Sequence, residues 1–134
     1  MRAIIETVEH ADGKIIVTCN VKIGQIRGVW RGKTPPVVND IVQIELYIKK
    51  VCPYKVKEAS SEMYDETYVY CTINEIVFKG ICEDYDGEVY YIRFMVDWLE
   101  MLDIEDFNYK ISIGDTVLFQ ANIENIDIYP YEIY

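Results

Sequence analysis

The chain predicts an all-β protein built from two tandem, small barrel-like repeats, and three observations carry that expectation. Apolar and polar residues alternate over several segments, Asp-Gly and Gly-Asp pairs punctuate those segments, and the pattern recurs at a spacing near 75 residues. Period 2 is what a half-buried strand must show, because successive side chains leave opposite faces of the pleat. With 134 residues, 51% hydrophobic and 27% charged, the composition suits a folded unit. No run approaches the roughly 18 apolar residues of a membrane span, and Glu6 interrupts any secretory core at the start, so the chain reads as a cytoplasmic, non-membrane protein.

Taken in order, first-half strands are expected near 2–9, 14–23, 25–31 and 41–51, and second-half strands near 68–83, 88–96 and 116–128. Asp12-Gly13 and Asp86-Gly87 supply the positive φ of tight hairpin turns ahead of the second strand in each half. That second strand sets Ile15, Val17, Cys19, Val21 and Ile23 against Tyr90, Ile92, Phe94, Val96 and Trp98, 75 residues on. After Asp40, Val42, Ile44, Leu46 and Ile48 form one face; after Asp115, Val117, Phe119, Ala121 and Ile123 do the same at the same offset. Parity is preserved throughout, and parity decides burial. Asn39-Asp40 corresponds to Gly114-Asp115, and each half ends near a Pro-Tyr pair, Pro53-Tyr54 and Pro130-Tyr131.

Between these strands the halves diverge. Gly24, Gly28, Gly32 and Pro35-Pro36 exclude a helix in the first. In the second, Asp97 with Glu100 three positions on has the layout of a capping box, and 98–106 lacks glycine and proline, so one short helix is expected there. The acids Asp97, Glu100, Asp103, Glu105 and Asp106 would form its polar face. Short strands with these turns fit a small closed or partly open barrel of the oligonucleotide-binding (OB) or SH3-like kind in each half; one sandwich built from both halves is the alternative. The expected units are a basic repeat 1–58, an acidic connector 59–67 and an acidic repeat 68–134.

Charge divides along the same line. Residues 1–58 carry ten Lys or Arg against six Asp or Glu, and residues 59–134 carry three against seventeen, within a formal net charge of −10. So negative a sum disfavours nucleic-acid binding through the whole surface. The four cysteines, Cys19, Cys52, Cys71 and Cys82, form no C-x-x-C pair and read as buried thiols in a reducing compartment.

No catalytic motif stands out. His10 is the single histidine and sits beside a hairpin, and the glycines at 24, 28 and 32 match no phosphate-binding layout. No enzyme activity, cofactor or metal is expected. Two surfaces invite a partner. Glu83, Asp84, Asp86 and Glu88 with Tyr85 and Tyr91 surround the second hairpin, where carboxylates and amphipathic tyrosines suit a basic protein. An inhibitor or immunity-type protein, masking a basic nuclease by presenting carboxylates in place of phosphates, is one form of this expectation. Arg27, Trp30, Arg31 and Lys33 with Tyr47 could instead stack bases and neutralise phosphates of a single strand. Against that stand two structural uses: Trp30 plugging a barrel end, and the cations meeting the acidic half within the molecule.

Overall fold

The computed structural model describes residues 1–52, 57–59, 67–107 and 110–131; the expected connector therefore lies largely outside the described residues. Strands β1 (Arg2–Ala11), β2 (Lys14–Val21) and β3 (Gly24–Trp30) form an antiparallel meander, and β4 (Ile41–Ile48) returns antiparallel to β1. The ring is closed by β11 (Ile126–Pro130), antiparallel to β4 and parallel to β3. The result is a closed five-stranded barrel in the order β1-β2-β3-β11-β4, the OB-type solution among the barrels the sequence suggests. Val17, Cys19 and Ile44 are buried in its interior at the predicted inward parity, joined there by Ile5 and Ile26. Ile126 and Ile128 are buried too, at the opposite parity to the Val117–Ile123 set, because the turn at Ile123–Asn125 resets the alternation.

The remaining strands build a second unit on the same sheet. It holds β5 (Lys57–Ala59), β6 (Tyr68–Cys71), β7 (Glu75–Tyr85), β8 (Val89–Met95), β9 (Trp98–Asp103) and β10 (Thr116–Asn122). The strand expected over 68–83 is broken at 72–74, where the Glu75 amide donates to Thr72 Oγ1 at 3.1 Å. That over 116–128 is broken by a 3₁₀ turn, Ile123–Asn125, before β11. The core is aromatic: Phe78 stacks on Phe119 at 4.9 Å between centroids, and Phe94 on Trp98 at 4.5 Å.

The helix expected over 98–106 is a strand followed by a single 3₁₀ turn, Ile104–Asp106. Pairing with β8 decides the matter: Trp98, Glu100 and Leu102 turn inward while Leu99, Met101 and Asp103 turn out. A local capping signal is worth about 1 kcal/mol, which a six-residue ladder with a buried indole outweighs.

The two units repeat each other in backbone detail. The Ile5 amide donates to the Asp40 carbonyl at 3.0 Å and the Asn39 amide to the Ile5 carbonyl at 2.7 Å; the Cys82 amide donates to Asp115 at 2.8 Å and the Gly114 amide to Cys82 at 2.7 Å. Asn39 and Gly114 both hold positive φ, 74° and 92°. A β-bulge follows Ile5 in the first unit and Cys82 in the second. These equivalences also shift the hairpin register. Ile5 pairs with Cys19 and Cys82 with Ile92, so the second hairpin is shorter and Cys19 corresponds to Ile92 rather than Phe94.

The final strands are exchanged. After β4 the chain crosses to β5, antiparallel to β10; after β10 it crosses to β11, antiparallel to β4. Thus the end of the chain completes the barrel begun by its start. Among the described residues, β9 pairs with β8 alone, whereas its counterpart β3 is flanked by β2 on one side and by β11 and β6 on the other.

The units join where β3 meets β6 in a short parallel contact, Gly24 against Val69. Gly24 has φ +146°, and a Cβ there would lie 1.8 Å from the Val69 carbonyl oxygen. Gly24→Ala is therefore expected to cost about 2–4 kcal/mol by strain and overlap, read as a lower urea midpoint. An unchanged midpoint would contradict this junction.

Candidate functional site

The first-half set does not form one face. Arg27 Nη2 pairs with Glu9 at 2.7 Å on the outer surface of β3. Trp30 is 8% exposed at the barrel end, its Nε1 donating to the Thr34 carbonyl at 2.9 Å, and Lys33 lines the same recess. Arg31 and Lys49 both reach Asp127 Oδ1, at 3.0 and 3.5 Å. Asp127 lies on β11, so the strand exchange brings a carboxylate of the acidic half against cations of the basic half. Tyr47 is exposed, but on a different wall, beside Asp97 and Glu100.

The second-half set does come together. Glu83, Asp84, Tyr85, Asp86 and Glu88 are exposed around the β7–β8 hairpin, with Tyr91 half-buried beside them. Asp86 builds the turn: Oδ1 accepts from the amides of Glu88 and Val89 at 3.1 and 3.0 Å, and Oδ2 from Tyr91 Oη at 2.9 Å. The Val89 and Glu88 amides, with Tyr91, hold its carboxyl below the usual range, while the bond to Asp86 holds the Tyr91 phenol above its own. Glu83 is bridged by Arg93 Nη2 at 3.0 Å. Among the described residues Asp84 Oδ1 accepts from the adjacent Tyr85 amide alone, at 2.8 Å, so Asp84 and Glu88 present their charge outward from a shaped tip.

A further feature escaped the sequence. Between β4 and β9 lies a cavity of about 300 Å³ whose walls include Glu45, Tyr47, Asp97, Trp98, Glu100 and Tyr131. The mouth is exposed at Tyr47, Met101 and Tyr131; the floor is buried at Ile44, Trp98 and Glu100. Tyr131 Oη donates to Glu45 Oε1 at 2.7 Å, and Trp98 Nε1 to Glu100 Oε1 at 2.8 Å. Burial pushes the Glu100 carboxyl up to about 7, with Glu45 adding to the rise and the Trp98 bond opposing it. Read as a helix, Glu100 belongs to a solvated face. Read as a strand, it shares parity with Trp98 and Leu102 and must point inward, the one signal that could have exposed it.

None of the four cysteines is in a disulfide; Cys19 and Cys82 are buried as expected while Cys52 and Cys71 are half-buried, and burial drives Cys19 up to about 12, far from the thiolate needed for reactivity. Among the described residues no group of three or more His, Cys, Asp or Glu is placed to hold a metal ion, and no helix is long and apolar enough to cross a membrane. Fold and surface thus define an all-β barrel protein carrying an acidic hairpin and an acidic cleft. No family model, curated protein or solved structure matches the chain.

Proposed function

We propose that this protein is a non-enzymatic interaction module whose acidic second unit engages a basic macromolecular partner through the β7–β8 hairpin. The observation that carries this reading is the gathering of Glu83, Asp84, Tyr85, Glu88 and Tyr91 at one exposed tip whose backbone is fixed by Asp86. Preset carboxylates beside amphipathic rings speed encounter with a cationic surface and lose little side-chain entropy on contact. The internal pairing of Arg27, Arg31 and Lys49 supports the same direction, since it leaves the excess of acid over base to dominate the field outside. An inhibitor or immunity-type role against a basic nuclease is the specific form we favour. A cytoplasmic setting suits four cysteines that form no disulfide.

The test is anisotropy of a labelled poly-L-lysine 20-mer titrated with the protein. Neutralising the tip, E83Q/D84N/E88Q, is expected to weaken binding about tenfold at low salt, from three partly exposed charges at roughly 0.5 kcal/mol each. The control D103N/E105Q/D106N, neutralised elsewhere on the same unit, should change it about twofold or less. Equal losses would reduce the interaction to diffuse charge and remove the hairpin from it. Saturable binding of single-stranded DNA that collapses with salt and with Trp30→Ala would transfer the function to the first unit.

A further inference from the structure

From the walls of the β4–β9 cleft we infer a second recognition element, a receptor for one arginine side chain of the basic partner. Three carboxylates from two units converge there: Glu45 on β4, Asp97 in the turn before β9, and Glu100 on β9 itself. Among the described residues no lysine or arginine lines the cleft. The convergence registers on Tyr131, whose phenol is raised first by its bond to Glu45 and further by the charges of Glu45 and Asp97. The amino group of Met1, also at the wall, is committed to the Ile44 carbonyl at 2.8 Å.

Glu100 is the independent sign of a ligand. It is only 7% exposed, and it takes the place that Ile26 holds in the first unit, since Ile26 faces Cys19 across its hairpin as Glu100 faces Ile92. Barrel architecture is thus satisfied by an isoleucine there, and a carboxylate needs another reason. Its Oε1 accepts the Trp98 indole, while its Oε2 takes no hydrogen bond from a described residue. A buried carboxylate with a free oxygen at the floor of an open cleft is set to receive a donor from outside.

The chemistry selects a guanidinium. Its planar fork of donors can meet more than one carboxylate at once, and its faces stack on Tyr47 and Tyr131 at the mouth. The cleft extends the reading of the protein as a binder of basic partners and rests on it for the macromolecular source of that arginine.

Titration of ¹⁵N-labelled protein with Ac-Gly-Arg-Gly-NH₂, followed at the two tryptophan indole resonances, tests the assignment. Trp98 Nε1 is bonded to Glu100 and should shift saturably at millimolar peptide, while Trp30, bonded to Thr34 in the adjoining recess that shares Tyr131 with the cleft, should shift less. The citrulline peptide Ac-Gly-Cit-Gly-NH₂, equal in shape and uncharged, should produce no shift. E45Q/D97N, which alters exposed groups only, should weaken binding about tenfold while the thermal midpoint of the free protein is kept. The hairpin variant E83Q/D84N/E88Q should bind the peptide as the unaltered protein does, so a failed cleft and a failed hairpin are separately visible. A Trp98 resonance that does not respond, responds equally to citrulline, or is indifferent to E45Q/D97N overturns the assignment. Agmatine binding more tightly than the peptide would overturn its polypeptide source.

Discussion

Replacing Ile126 and Ile128 together by alanine is expected to dismantle the first barrel, although both residues lie at the opposite end of the chain. Each is 0% exposed on β11, the strand that closes the ring between β3 and β4. Truncating a buried isoleucine costs about 2–5 kcal/mol, so the pair is expected to remove at least about 4 kcal/mol, much of the total for a domain of this size. Hydrogen exchange gives the decisive reading. Amides of β1, β2 and β4 should lose protection first, since opening β11 frees the edges of β3 and β4 together, while the Phe78–Phe119 core keeps its own. Protection lost first in β7, β8 and β10, with the first barrel unaffected, would contradict the exchange of final strands.

That exchange shows where the sequence stops being legible. Alternation is local, so Val42, Ile44, Leu46 and Ile48 announce a strand and its inward face without reference to any partner. Turn chemistry is local too: Asn39 and Gly114 hold the positive φ that lets both units make the same pair of backbone bonds to Ile5 and Cys82. Which strand pairs with which is not local, and nothing within Ile126–Pro130 says that its neighbours are β3 and β4. Pro130 ends β11, whereas Pro53-Tyr54 lies outside the described residues ahead of β5, so the two Pro-Tyr pairs give no guide to the crossing, which is a matter of topology.

Register was lost in the second hairpin for a related reason. The matching of Cys19 to Phe94 keeps the right parity, but both hairpins carry the bulge and the second is shorter, so Ile92, facing Cys82 as Cys19 faces Ile5, is the true counterpart of Cys19. The helix expected over 98–106 failed differently. Trp98, Leu99, Met101 and Leu102 satisfy a period of 3.6 as readily as a period of 2, and only pairing with β8 separates them. The acidic hairpin was legible because its residues are neighbours in sequence. The cleft was not, because Glu45 and Glu100 meet only after both units have folded and the strand has been recognised as one.

Glu100→Gln is expected to raise stability, and to do so in a pH-dependent way. The folded carboxyl titrates near 7 against an ordinary value of 4.5. Between those values the folded chain keeps a proton that the unfolded chain releases, so the stability this group allows is intact below about 4.5 and is lost as pH rises to 7. Above 7 the whole penalty of a buried charge is present, about 3 kcal/mol from a shift of that size. Glutamine keeps the carbonyl that accepts Trp98 Nε1 and never ionises. At pH 8 the variant should therefore melt roughly 5–10 °C higher than the unaltered protein, with the difference vanishing near pH 4.5. Thermal unfolding at both pH values checks this, and an equal difference at the two would remove ionisation from the explanation. Glu100→Ile, which copies Ile26 of the first unit, should gain less, because it leaves the Trp98 N–H buried without an acceptor. The same Glu100→Gln protein should bind the arginine peptide more weakly, for a neutral amide no longer compensates the incoming guanidinium. Stability and recognition then pull in opposite directions at one residue, which is the pattern expected where a carboxylate stands at a core position for the sake of a ligand rather than for the fold.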